Sequence, residues 1–275
     1  AAKKPLSQAQ LEQAAAYHQQ KKFRSRSKRC CRNSSEFVVV RNDGLKGYKR
    51  KSFLWGLQDL RRALEKGQPL KGSHVFAYQG VCIKKQLRRP LHADRCLISW
   101  KMSRALEVRG IAVPRSLGYF IIDNLSCFVS ELLDDRLHLN TYLSSITDER
   151  TKRRALKKLA LWLQKFYDTR VWQRDFKSDN ILCHKGDYFM VDLDGIKIRR
   201  SSEHKQIVIL AQLNASVSNA VTLKDRLRFY HYLTAGQKPP RQQRRAVYRR
   251  VWDITRTKTT FYYDLDIDQL WRHGR

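Results

Sequence analysis

The sequence predicts an α+β chain, with a small antiparallel sheet early and mainly helices late. Three observations lead there. Strand-like runs such as F-V-V-V (37–40), V-F-A-Y (75–78) and V-C-I-K (81–84) all lie in the first half. A long stripe of Leu156, Leu159, Ala160, Leu163 and Phe166 lies in the second half and repeats at the spacing of a core-facing helix. After it, V-W-Q-R-D-F-K-S-D-N-I-L-C-H-K-G-D-Y-F-M-V-D-L-D-G (171–195) reads as a hairpin with polar residues at its rims.

Composition narrows the function classes. The 275 residues suffice for one large domain or two lobes, and a 42% hydrophobic content excludes a disordered chain. The formal net charge of +31 predicts attraction to polyanions: nucleic acid, an anionic membrane surface or a phosphorylated glycolipid. No nucleic-acid-binding motif accompanies the charge, so no specific nucleic-acid partner is expected. The six cysteines include no C-x-x-C pair, and several sit in apolar runs. That predicts a reduced, cytosolic protein rather than a disulfide framework. No apolar run reaches the about 18–20 residues of a membrane span, and no apolar signal core opens the chain. Membrane contact is therefore expected to be peripheral.

In chain order, 7–20 reads as a short helix capped by Ser7. Residues 21–32 carry seven basic side chains and no acid, the composition of a solvated tail or an electrostatic anchor. A strand is predicted at 36–41 and a turn at Asn42-Asp43-Gly44. A helix at 52–65 puts Phe53, Leu54, Leu57, Leu60 and Leu64 on one side. Then come a strand, a tight loop at Lys71-Gly72-Ser73-His74, and strands at 75–79 and 81–85. The segment 94–109 is predicted helical with Ile98, Met102, Ala105 and Leu106 inward. Strands follow at 117–123 and 126–131, with Asn124 and Leu125 between them. Helices are predicted at 137–143, 148–167, 207–213, 223–233 and 241–258. The last has seven basic residues and one acid, a candidate surface for an anionic acceptor. The organisation is a basic extension at 1–50, one lobe at 51–133 and a second at 134–275.

The hairpin carries the chemistry. Asp175 lies five residues before Asn180, and Asp192 lies twelve after it at the end of a strand. A carboxylate that accepts a hydroxyl proton, with an amide and a second carboxylate on magnesium, suits phosphoryl transfer from a nucleotide. On the strand at 81–85, alternation puts Cys82 and Lys84 on one face, a small side chain for a base and an ammonium for phosphates. Lys85 points the other way and is the rival. The loop ahead has a single glycine, yet the amides of Gly72 and Ser73 can contact phosphate. Lys177 suits a contact to the transferred phosphate and equally suits a surface loop.

The R-D-x-x-x-x-N core and the strand-borne Asp192 resemble the catalytic and metal loops of protein-kinase-like enzymes. Gln173 stands where His is usual, and Leu193-Asp194 where Phe-Gly is usual. P-L-K-G-S-H-V-F ahead of V-C-I-K-K, R-G-I-A-V-P-R-S-L-G-Y, V-S-E-L-L, W-Q-R-D-F-K-S-D-N-I-L and M-V-D-L-D-G together resemble the lipopolysaccharide core kinase family. The resemblance covers residues 57–233. It implies a bilobal protein-kinase-like fold, ATP as donor with Mg2+, and a heptose or Kdo hydroxyl of the lipopolysaccharide core glycolipid as acceptor. It places the enzyme at the cytoplasmic face of the inner membrane, on an anionic surface. It makes Asp175 the base, Asn180 and Asp192 the metal ligands, and Lys84 the phosphate-binding lysine. Glu131 to Leu133 becomes the hinge that holds the adenine edge, where Glu131 is otherwise a solvated strand end. The helix glutamate that pairs with the strand lysine falls at Ser99, with Asp94 and Glu107 the nearest acids. Gln173 for His is expected to weaken the packing under the catalytic loop. Rival readings are a protein kinase and a catalytically weak, kinase-shaped binding protein.

Overall fold

The computed structural model describes residues 7–42, 44–199, 202–236 and 239–258. The chain divides into two compact units, residues 1–133 and 134–275.

The first unit opens with helix α1 (Gln8–Ser27). Ser7 caps it by accepting from the Gln10 amide, while Gln10 accepts from the Ser7 amide, a reciprocal cap. A 3-10 turn, Lys28–Cys31, follows. Most of the stretch predicted as a basic tail is therefore helical. Strands β1 (Phe37–Asn42) and β2 (Leu45–Arg50) come next, then helix α2 (Leu57–Lys66). Of the predicted turn between the two strands, Asp43 lies outside the described residues. Strands β3 (Gln68–Lys71), β4 (Val75–Tyr78) and β5 (Val81–Leu87) precede helix α3 (Arg95–Glu107). Strands β6 (Ser116–Ile122) and β7 (Leu125–Glu131) close the unit, so Leu125 belongs to a strand rather than to the turn.

These strands form one antiparallel sheet of seven, in the order β1-β2-β6-β7-β5-β4-β3. Residues 1–50, set apart by their charge, thus supply two of its strands. One face packs on α2, where Leu60 and Ala63 meet Val81, Ile83, Phe120 and Val129. Helix α2 begins at Leu57, later than the sequence predicts. Its Gly56 cap amide is held by the Asp59 carboxylate at 2.9 Å. On α3 the buried side is Cys96, Ser99, Trp100, Ser103, Ala105 and Leu106, whereas Ile98 and Met102 are half-buried.

The second unit opens with the two-residue strand β8 (Leu137–His138) and helices α4 (Leu139–Ser145) and α5 (Glu149–Asp168). Asp148 caps α5 by accepting from the Thr151 amide at 2.6 Å, and the predicted stripe from Leu156 to Phe166 is buried. Short strands follow: β9 (Val171–Gln173), β10 (Ile181–His184), β11 (Asp187–Met190) and β12 (Ile196–Ile198). They pair as β11-β10-β8 and β12-β9. Helices α6 (Glu203–Ser216), α7 (Leu223–Thr234) and α8 (Arg241–Arg256) complete the described part. The buried Arg226 guanidinium donates to the carbonyls of Asn214, Val217 and Ser218, which locks α7 to the end of α6.

Candidate active site

In the second unit, β10 and β11 form the hairpin on which the polar residues ride. Its register pairs Ile181 with Met190. One step outward, the Val191 amide donates to the Asn180 carbonyl at 2.9 Å, so Asp192 follows directly from a residue bonded to Asn180. Asn180 is buried, and its Nδ2 donates to the Asp175 carbonyl at 2.9 Å. Asn180 is thus tied by its side-chain amide to the Asp175 backbone and by its carbonyl to the residue before Asp192. Lys177, in the loop between β9 and β10, puts its Nζ 3.0 Å from Asp175 Oδ2.

Asp192 has φ 56° and ψ 60°, a left-handed conformation that costs about 1–3 kcal/mol outside glycine. Something must hold it, and Gln173 does. Its Nε2 donates to the Asp192 carbonyl at 2.9 Å and its Oε1 accepts from the Arg174 amide at 3.0 Å. At 1% exposure Gln173 is sealed in. Glycine at 195 leaves the space the amide occupies, since a Cβ there would stand 2.6 Å from Gln173 Oε1. Gln173 therefore does bond the loop: its amide supplies a donor and an acceptor on one rigid group. Arg174 itself has an exposed side chain, and its backbone amide ties to Gly195 at 3.2 Å.

The loop from 174 to 177 has no regular structure and leads into a 3-10 turn, Ser178–Asn180, so its backbone groups need outside partners. Helix α6 provides them. Gln212 donates to the Arg174 carbonyl at 2.7 Å and accepts from the Phe176 amide at 3.1 Å. Ser216 Oγ accepts from the Ser178 amide at 2.8 Å, and its carbonyl takes the Ser178 hydroxyl at 2.6 Å. Sequence reasoning missed Gln212 and Ser216. The signal was there: polar residues inside an apolar helix.

In the first unit, β5 presents Val81 and Ile83 to the core, with Cys82 and Lys84 on the other face. The Lys85 ammonium lies 4.5 Å from the centre of the Phe76 ring, a cation–π contact that occupies the rival. Gly72, at φ 53°, lets β3 turn into β4 through an exposed tip of Gly72, Ser73 and His74. At the end of β7 the Glu131 side chain is exposed, and its amide donates to the Arg115 carbonyl at 2.8 Å. The Leu132 amide donates to the Gly80 carbonyl at 2.9 Å, and Leu133 is buried. Of the two acids near the expected helix glutamate, Asp94 accepts the Tyr119 hydroxyl at 2.6 Å. Glu107 takes the Arg50 guanidinium at 2.6 Å.

The donor set fits magnesium. Asn180 uses its amide nitrogen on Asp175, which leaves Oδ1 for a hard cation, and Asp192 adds a carboxylate. Among the described residues no group of three or more His, Cys, Asp or Glu could hold a metal unaided. Magnesium keeps several waters and takes its remaining ligands from substrate phosphates, so two protein oxygens suffice.

A family model described as "Lipopolysaccharide kinase (Kdo/WaaP) family" matches residues 70–232, more than half of the chain. A comparison with curated proteins finds no match. Among solved structures, the chain is similar to the bifunctional kinase-methyltransferase WbdD at 13% identity and a TM-score of 0.43. That match covers 72% of this chain and 45% of WbdD, so the chain spans less than half of that protein. It is also similar to an aminoglycoside-3'-phosphotransferase of type VIII, at 14% identity and a TM-score of 0.48, over 72% of this chain and 98% of that one. A third is a divergent kinase lacking the glycine-rich loop, which regulates membrane ultrastructure of the Toxoplasma parasitophorous vacuole. It shows 12% identity and a TM-score of 0.39, over 80% of this chain and 84% of that one.

Proposed function

The chain belongs to the lipopolysaccharide kinase (Kdo/WaaP) family, and from that premise we propose that it phosphorylates a heptose or Kdo hydroxyl of a lipopolysaccharide inner core. It is a phosphotransferase of protein-kinase-like fold, and a kinase family implies ATP as donor. The observation that carries the finer reading is the pair of bonds that link Asn180, at the start of the hairpin, to Asp175 in the preceding loop and to Val191 beside Asp192.

In this reading Asp175 orients the sugar hydroxyl and accepts its proton as the new O–P bond forms and the bond to the leaving ADP oxygen breaks. Lys177, paired with Asp175, meets the developing charge of the transferred phosphoryl group. Lys84 neutralises the donor phosphates, and amides at Gly72 and Ser73 add contacts to them. Backbone groups from Glu131 to Leu133 hold the adenine edge. Asn180 and Asp192 hold magnesium, which when bound offsets phosphate charge. The acceptor is an acidic glycolipid, and the basic surface serves its capture at an anionic membrane face on the cytoplasmic side. No helix of the described residues is long and apolar enough to cross a membrane.

The test is transfer of label from γ-labelled ATP to isolated core oligosaccharide carrying heptose or Kdo, run beside protein acceptors. Label should enter the oligosaccharide, and Asp175→Ala or Asp192→Ala should lower turnover at least ~100-fold in a folded protein. Labelling of proteins alone, or full activity in either variant, would sink the assignment.

A further inference from the structure

A protein-kinase-like site needs its phosphate-binding lysine held in place, and here helix α3 lacks the usual acid for that. Ser99 stands at the expected position, and among the described residues its buried hydroxyl has no hydrogen-bond partner. Asp94 and Glu107 are engaged elsewhere. Yet α3 touches the strand of Lys84 directly. Cys96 Sγ donates to the Lys84 carbonyl at 3.2 Å and to the Ser126 carbonyl at 3.3 Å, which bridges β5 and β7. Burial pushes the Cys96 thiol up to about 11, so it keeps its proton for this role at neutral pH.

The far end of α3 is bolted to residues 36–50. Arg50 is 5% exposed and uses each arm of its guanidinium. One nitrogen reaches both Glu107 oxygens, at 2.6 and 2.7 Å; another binds Glu36; the third donates to the Ser116 carbonyl at 2.5 Å. Arg104 on α3 closes the ring, 2.7 Å from Glu36 and 3.1 Å from Glu107. Phe37 carries both guanidinium groups over its ring, each 5.1 Å from the centre, and meets Trp100 of α3 edge-on at 5.6 Å. This geometry uses the planar fork of arginine, which lysine cannot reproduce.

We infer that Arg50 is a positioning residue for the nucleotide half-site: it fixes α3, and α3 through Cys96 fixes the backbone at Lys84. The inference rests on the reading of Lys84 as the phosphate-binding lysine. It makes the basic segment before residue 51 a working part of the kinase.

The experiment titrates a fluorescent ATP analogue with magnesium into the full chain and its variants, with melting followed separately. Lys84→Ala first tests the underlying reading. Arg50→Met and Glu107→Gln should each weaken nucleotide binding ~10-fold while the protein is folded, since small displacements of positioning groups are amplified at the site. Arg50→Lys should recover only part of the loss, and Cys96→Ala should weaken binding with the Arg50 cluster intact. Should Arg50→Met not fold, Glu107→Gln and Cys96→Ala decide. If Lys84→Ala binds like the parent, the reading of Lys84 fails and the inference falls with it. If Lys84→Ala is impaired while the folded Arg50, Glu107 and Cys96 variants bind like the parent, only the inference is overturned and Arg50 is a stabilising residue alone.

Discussion

Gln173 holds two backbone groups with one buried side chain. The task is to hold the carbonyl of a left-handed Asp192 and the amide that opens the catalytic loop. A carboxamide does both, at 2.9 and 3.0 Å. The sequence shows only that a usual residue type is missing; it cannot show that Gly195 clears the space in which the amide sits. Likewise Lys84 and Lys85 differ in sequence by one position, and only the structure shows that Lys85 lies over the Phe76 ring. Gln173→Ala takes the donor from the Asp192 carbonyl and one of two acceptors from the Arg174 amide, which keeps Gly195, and should cost about 1–3 kcal/mol. For a chain of this size each kcal/mol lowers Tm by roughly 2–4 °C. Turnover should fall at least ~10-fold because Asp192 loses its hold. Gln173→His, which restores a ring N–H donor, should recover most of that turnover. Melting and steady-state kinetics on the two variants check the pair, and equal activity of Gln173→Ala and the parent would remove the role.

At the scale of elements, legibility followed the kind of burial. Helix α5 was readable because one side is apolar and the other charged, so its stripe survives in the sequence. Helix α6 was predicted only at 207–213, because it is buried on most sides and its polar residues break the stripe. Those residues have partners: Gln212 and Ser216 hold the loop, and Asn214 binds Thr255 and Arg226. Strand β2 escaped for the opposite reason. Lys46, Lys49 and Arg50 look like a solvated run, yet Arg50 is buried against two carboxylates. The hairpin from 181 to 190 was plain, since strand, turn and strand are local. Gln212→Ala tests what α6 does. It leaves the Phe176 amide and the Arg174 carbonyl without their partner, so hydrogen exchange at Phe176 should speed up by ~10-fold or more, one lost bond being worth about 1–3 kcal/mol. Turnover should drop while the KM for ATP changes little, because the loop carries the proposed base and Lys84 lies on another element. Unchanged exchange at Phe176 would mean the loop is held by something else.

For the molecule as a whole, the charge of +31 is legible in the composition but its placement is not. Part of the basic face of α5 is answered locally: Arg153 lies 2.9 Å from Glu149, and Lys158 lies 2.7 Å from Asp187. On α8, Arg250 lies 2.9 Å from Glu203 and Arg256 lies 2.9 Å from Asp253. The second half of α1 is different. Lys21, Lys22, Arg24 and Arg26 are exposed, and Glu12 is the one acid on that helix. If the acceptor is drawn from an anionic surface, this segment should contribute most per residue, at about 1 kcal/mol for each near-surface cation. Replacing these four by Gln should therefore weaken binding to anionic vesicles at least ~100-fold. Turnover on soluble core oligosaccharide should stay unchanged, because none of the four belongs to the candidate site. Binding of the parent should also weaken steeply with added salt, since the Debye length shrinks from about 10 Å at 0.1 M to about 3 Å at 1 M. Vesicle binding that ignores both the substitutions and the salt would show that capture does not run through this charge, and would move the search for the membrane contact to apolar surface.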